Sequence, residues 1–303
     1  MIKKMIFASL AIGLLTTSCS SDDDASTPPV VIPTSTLSLN FNGLSNLGDN
    51  LVYEGWIMVD GAPKTTGTFT VNDAGVASKT TFDIPTADLD AATAFVLSLE
   101  PASDSDPLPS VTKILSGGFT ANAASLVIND QVGVFNSTTT PFSGSFITAT
   151  PTDNTGGVDN GNDDQGVWFI DMPGPVPSLI NLPTLSAGWK YEGWVVFNNG
   201  TEDVPLSMGK FTSATGVDSA SPYSGNETAP SFPGEDFVNS LPTGIDGVVT
   251  GKTIVISVEP DVEGSSDTKP FFFKPMNGIE GVSSNAVSLV DNINVTVTGT
   301  ATR

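Results

Sequence analysis

The tetrapeptide Tyr53-Glu54-Gly55-Trp56 returns unchanged as Tyr191-Glu192-Gly193-Trp194, and the segments after it return in the same order. Gly67-Thr68-Phe69-Thr70 is answered by Gly209-Lys210-Phe211-Thr212, and Ser98-Leu99-Glu100-Pro101 by Ser257-Val258-Glu259-Pro260. Ordered recurrence of several short motifs marks a duplicated supersecondary unit, so a fold assigned to one half must also serve the other. The second copy is longer. Its extra residues fall mostly between Ser213 and Val248, a stretch rich in Pro, Gly, Ser and Asp. A loop this long in a compact domain tends to be functional or mobile.

The residues inside each copy alternate with a period of two. Leu37-Leu39-Phe41 alternates with Ser38-Asn40-Asn42, and Phe95-Leu97-Leu99 with Val96-Ser98-Glu100, which places one set on a core face and the other outward. Further strands read at Val52 to Val59, Thr66 to Val71, Ala77 to Ile84, Ser125 to Ile128, Ser143 to Thr150 and Val167 to Ile170. No window carries a 3.6-residue apolar stripe, so the chain reads as all-β. Asp60-Gly61 and Asn198-Asn199-Gly200 separate such runs and supply residues that tolerate positive φ, so each marks a hairpin. Hydrophobic residues at 39% and charged residues at 15% supply enough apolar side chain for real cores. The expected organisation is two tandem β-sandwich-like domains, 36–150 and 166–303, joined by an Asp/Asn/Gly-rich linker, 151–165.

The N-terminus reads as an export signal, residues 1–18: Lys3 and Lys4, an apolar core from Met5 to Leu15, then small residues up to Cys19. That core falls short of the ~20 residues a membrane-spanning helix needs, and no later run reaches it. Leu15-Thr16-Thr17-Ser18 before Cys19 resembles a lipobox, with Thr16 where the strict pattern has Leu, which implies lipidation at Cys19. The following Ser20-Ser21-Asp22-Asp23-Asp24 resembles the acidic stretch of surface-exported lipoproteins in Bacteroidota-type cells. Residues 19–35 then form an acidic, Pro-containing tether. The expected location is the outer membrane, on the cell surface, held by the N-terminal lipid.

With a formal charge of −22, made more negative when Lys3 and Lys4 leave with the signal, binding to nucleic acid is disfavoured. The chain has no His and a single Cys, which excludes a Ser-His-Asp triad, a Cys-His pair, a His-based zinc site and an intrachain disulfide.

The repeat as a whole, a Tyr-x-x-Trp strand and hairpin, a Gly-x-Phe-Thr strand and a Leu-Glu-Pro strand end, resembles the extracytoplasmic C-terminal domain of anti-sigma-K factors. In the first copy the likeness runs from Tyr53 through Asp60-Gly61-Ala62-Pro63 and Gly67-Thr68-Phe69-Thr70 to Leu99-Glu100-Pro101 and on to Gly117. The resemblance implies a fold and an extracytoplasmic sensing or interaction role. Sequestration of a sigma factor is not implied, because this chain lacks the cytoplasmic helical segment and the membrane helix of that family.

Five groups of residues are site candidates. Trp189 and Tyr191 share one strand face and could form a stacking platform for sugar rings, whereas Trp56 and Trp194 are expected in the core. Glu100 and Glu259, each before a Pro, are matching carboxylates in separate copies and read as hydrogen-bonded structural groups rather than an acid/base pair. Glu54 and Glu192 are expected to point away from the core. Asp153, Asp159, Asp163 and Asp164, interleaved with Asn and Gly, offer hard oxygen ligands for calcium, though without EF-hand spacing. Asp218-Ser219-Ala220 resembles a short O-glycosylation signal, which makes Ser219 an acceptor candidate. The functional expectation is a non-enzymatic lipoprotein whose partner is a protein or a glycan; a carbohydrate-binding surface lipoprotein is the alternative.

Overall fold

The computed structural model describes residues 31–128, 131–135, 143–154, 157–265, 268–279, 287–291 and 297–303. The export signal, Cys19 and most of the tether lie outside the described residues. Residues Pro33–Arg303 form one compact unit. Among the described residues no helix is long and apolar enough to cross a membrane.

The regular secondary structure is nearly all strand, as the alternation predicts. In order, it forms β1 (Thr34–Asn42), β2 (Leu51–Val59), β3 (Ala62–Phe69), β4 (Thr81–Pro85), a short helix α1 (Thr86–Ala91), β5 (Ala94–Pro101), β6 (Lys113–Thr120), β7 (Ala123–Val127) and β8 (Gly144–Phe146). There follow β9 (Gly166–Trp168), β10 (Ile170–Asp171), β11 (Val176–Pro177), β12 (Trp189–Asn198), β13 (Asp203–Phe211), β14 (Gly234–Asp236), β15 (Thr253–Pro260), β16 (Met276–Ile279), β17 (Val287–Asp291) and β18 (Thr298–Thr302). The first large sheet runs β3-β2-β5-β6-β7-β18-β1-β4 and the second β13-β12-β15-β16-β17-β8. The repeat is thus visible as topology: β3-β2-β5-β6 matches β13-β12-β15-β16.

The first sheet's two edge strands, β3 and β4, approach each other. Val71 bridges Ala77 between β3 and β4, and the Phe69 and Phe82 rings lie 6.4 Å apart. Asp60 and Gly61 both take positive φ, 52° and 77°, in the two-residue turn between β2 and β3, the backbone a right-twisted hairpin demands. Each sheet also borrows a strand from the other half of the sequence. C-terminal β18 sits between β7 and β1, while β8 pairs with β17. The expected boundary between 36–150 and 166–303 therefore does not coincide with the boundary between sheets.

β2 and β12 are buried on both faces, from Gly55 to Ile57 and from Tyr191 to Val195 without interruption. The Gly of each motif permits this. A Cβ on Gly55 would lie 2.4 Å from Thr66 Oγ1 and 2.8 Å from the Phe95 ring, and one on Gly193 would lie 2.7 Å from Met208 Cε. Both glycines stand at a shift of strand register, Gly55/Trp56 in β2 and Glu192/Trp194 in β12. Such bulges turn the following side chain without ending the sheet.

Candidate functional site

The repeated residues build the same hydrogen-bonded assembly twice. In the first half, Trp56 Nε1 donates to Ser98 Oγ at 2.8 Å, Ser98 Oγ donates to Glu100 Oε1, and Glu100 accepts the Ser110 N–H at 2.8 Å. In the second, Trp194 Nε1 donates to Ser257 Oγ at 2.8 Å, Ser257 Oγ to Glu259 Oε1, and Glu259 accepts the Phe271 N–H at 2.7 Å. Each tyrosine is duplicated as well. Tyr53 stacks on Phe69 and donates to the Ser45 carbonyl at 2.9 Å, and Tyr191 stacks on Phe211 and donates to the Pro183 carbonyl at 2.6 Å. A buried indole N–H or phenol needs an acceptor, and these networks supply one without opening the core to water. Glu100 and Glu259 are both 1% exposed. Burial, the largest effect, raises the Glu100 carboxyl above its usual range, against the pull of its Ser98 and Ser110 bonds.

The second assembly reaches a cleft. Glu259, Phe271 and Phe272 line one wall of an opening of about 850 Å3 whose opposite wall is the 41–48 loop and the 72–75 turn. The volume falls in the ligand-sized range of ~300–1,000 Å3. Phe271 and Phe272 are half-buried and in ring contact at 4.3 Å. Behind them lies Trp189, 5.9 Å from Phe271, with its Nε1 donating to the Lys113 carbonyl at 3.0 Å. Lys269, exposed, and Lys274, half-buried, stand on the same wall. Burial, foremost, lowers the affinity of Lys274 for its proton; Glu259 opposes this and Lys269 adds to it. Opposite, Asn46 Nδ2 donates to Asp73 at 2.8 Å, and Asn72 Oδ1 accepts the N–H groups of Ala74 and Val76 at 3.0 Å each.

Several expectations change here. Trp189 and Tyr191 are 4% and 1% exposed, so neither ring offers a face to a sugar; the rings that reach the cleft are Phe271 and Phe272, one layer further out. Glu192, expected to point away from the core, is 1% exposed and accepts from Ser207, because that face of β12 is covered too. Glu54 is half-buried and accepts from Thr65. The four linker aspartates tie the linker to itself and to its neighbours. Asp153 accepts Asn162 Nδ2 at 2.8 Å, Asp159 the Gly161 N–H at 2.7 Å, Asp163 the Thr150 N–H at 3.3 Å, and the Asp164 carbonyl the Val249 N–H at 2.8 Å. Among the described residues no three carboxylates, Cys or His gather as a metal would require. Ser219 is exposed, but its Oγ accepts the Lys210 N–H at 2.9 Å, which holds the insertion along the edge of β13.

A second group of buried polar residues belongs to the insertion. Glu235 and Asp236 on β14 are fully buried. Asp236 accepts Trp168 Nε1 and the Thr152 N–H, both at 2.7 Å, and the Thr152 hydroxyl. Glu235 accepts from Ser224, while its Oε2 has no partner in the described structure. Asp218 accepts the Gly234 N–H at 3.0 Å. Desolvation pushes Glu235 up to about 8 and Asp218 up to about 6. It raises Asp236 as well, against the pull of its Thr152 and Trp168 bonds. Asp218 stands out in the sequence only within Asp218-Ser219-Ala220, and nothing there distinguishes Glu235 and Asp236 from ordinary loop acids.

No family model, no curated protein and no solved structure matches this chain.

Proposed function

We propose that this chain is a non-enzymatic, membrane-anchored lipoprotein that works outside the cytoplasm as a binding or sensing module, with the cleft beside Phe271 and Phe272 as its ligand face. The cleft is the observation that carries the reading. It is ligand-sized, mixes aromatic rings with amides and ammonium groups, and has one wall tied to the buried core through Glu259 and Trp189. A site held by packed, hydrogen-bonded residues loses little entropy on binding. Anchorage rests on Cys19 and on the segments around it. The anti-sigma-like resemblance supplies the sensing role without a sigma-binding part.

Two experiments test the reading. Cys19→Ala releases the protein from membranes on cell fractionation; a variant that still partitions with membranes sinks the anchor. Thermal-shift screening against oligosaccharides and peptides, with Phe272→Ser as control, finds a ligand whose stabilisation the control loses. Stabilisation that Phe272→Ser leaves intact places binding elsewhere. A carbohydrate ligand is the specific form of this reading that the half-buried phenylalanine pair favours, since an apolar sugar face packs on such rings.

A further inference from the structure

We infer that the cleft binds an acidic oligosaccharide, a sugar ring lying against Phe271 and Phe272 while its carboxylate or sulfate is held by Lys269 and Lys274; this rests on the cleft being the ligand face. The charge distribution points there. In a chain with a formal charge of −22, two lysines stand on one wall of a single cleft. Elsewhere among the described residues, Lys64 is paired with Asp88 and Lys190 with Asp261. Lys79 lies over the Phe82 ring, and Arg303 donates to the Leu89 and Ala92 carbonyls at 2.7 Å. Among the described residues Lys252, Lys269 and Lys274 form no such ion pair or ring contact, and only the last two share the cleft, where Glu259 attracts Lys274 and Lys269 makes it harder to protonate. An anion between them relieves that repulsion. The Glu259 carboxylate beneath Lys274 is engaged by Ser257 and by the Phe271 N–H, so its first task is to hold the aromatic wall.

The rest of the lining suits a hydroxyl-rich ligand. Asn42 is exposed, and Asn72 commits its oxygen to the turn, which leaves its Nδ2 as a donor. Asp73 on the opposite wall is already bonded to Asn46. Ammonium groups that meet an anion at a partly desolvated wall make charge-assisted hydrogen bonds, stronger than those to neutral hydroxyls. At ordinary ionic strength the chain's remote negative charges are screened within about 8 Å, so these local cations govern what enters.

The test is calorimetric titration of the full chain with oligogalacturonate, its methyl ester, a sulfated galactan oligosaccharide, a neutral cello-oligosaccharide and an acidic peptide. Binding of an acidic sugar, weakened by added salt and about tenfold weaker in Lys269→Gln, supports the inference; the uronate and sulfate arms tell which anion is read. Lys274→Gln adds a second test, and Lys269→Gln, at an exposed position, keeps the outcome free of any folding defect. Equal binding of the methyl ester and the acid, unmoved by either lysine variant, overturns the acidic ligand but leaves the cleft a binding site. Binding of the acidic peptide alone overturns the sugar and likewise leaves the module reading. Failure of every probe to bind overturns both.

Discussion

The two halves hold the same indole, hydroxyl and carboxylate in line but deliver the carboxylate to different places. Glu100 ends on the Ser110 N–H in a loop between strands, whereas Glu259 ends on Phe271 in the wall of the cleft. The second half also carries the long insertion, which sets buried Asp236 against Thr152 and Trp168, buried Glu235 against Ser224 and half-buried Asp218 against the Gly234 N–H. One duplicated scaffold has thus kept its internal bonds and diverged at its periphery, where new side chains do not disturb the core.

The sharpest way to break that equivalence is to remove the indoles. Trp56 and Trp194 are 2% and 0% exposed and each satisfies a buried serine. Trp56→Ala and Trp194→Ala are expected to cost about 3–5 kcal/mol each, from lost burial and the cavity left behind. Denaturant unfolding of both variants checks this. Losses that differ by much more than the spread of that range would show that one copy is a relic rather than a working equivalent.

A smaller effect, with its clearest source in the second half, is pH dependence. Folded Glu235 keeps its proton up to about pH 8, while in the unfolded chain it titrates near its ordinary 4.5. The folded state therefore binds more protons between those values, and stability falls as pH rises through them. Asp218 acts in the same direction between about 3.8 and 6. The charges bearing on Glu235 are the carboxylates of Asp218 and Asp236, so no cation offsets its ionisation. Melting temperature is expected to decline from pH 5 to 9. Glu235→Gln, which keeps an acceptor for Ser224, flattens the upper part of the decline and is worth on the order of 1–3 kcal/mol above pH 8. Equal declines in the wild type and in this variant would remove Glu235 as the cause.

Much of the scaffold was legible because it is local. Turn chemistry at Asp60-Gly61 and the alternation of β1 fixed a hairpin and faces that the structure repeats, whereas in β5 Ser98 and Glu100, expected to point outward, are buried along with Phe95, Leu97 and Leu99 because both faces of that strand are covered. Parity failed at Trp189, Tyr191 and Glu192 because it assumes one wet face, and β12 has none. The placement of β18 between β7 and β1 rests on pairing across most of the chain, which no short window carries. The cleft was missed for a related reason. Its walls come from residues 41–48 and 259–274, and Phe271-Phe272-Phe273 reads as a plain apolar run until Trp189 is seen behind it.

The glycines of the repeated motif offer a finer comparison. In Gly55→Ala the new methyl meets Thr66 Oγ1 at 2.4 Å and the rigid Phe95 ring at 2.8 Å, whereas in Gly193→Ala it first meets the flexible end of Met208 at 2.7 Å and the Phe169 ring only at 3.0 Å. Overpacking a filled core costs about 1–3 kcal/mol, and less where the obstructing atom can swing aside. Gly55→Ala should therefore destabilise more than Gly193→Ala by urea unfolding. The reverse order would mean that the two register shifts are not packed alike.

The smallest expected effect tests whether a difference on the surface matters at all. Lys190 and Asp261 form an ion pair at 3.0 Å, while the matching positions of the first half, by alignment of the Tyr and Pro residues beside them, hold Val52 and Ala102. The backbone there is the same in both halves: Ala102 N donates to the Asn50 carbonyl and Asp261 N to the Gly188 carbonyl, each at 2.7 Å. The pair's side chains are 34% and 48% exposed, so solvent and salt screen most of their attraction. Lys190→Val with Asp261→Ala, which rewrites this corner in the first half's residues, should shift stability by no more than about 1 kcal/mol and remove its salt dependence. Because the shared backbone bonds already close the corner, a larger loss would locate in the ion pair a structural duty that Val52 and Ala102 discharge by packing alone.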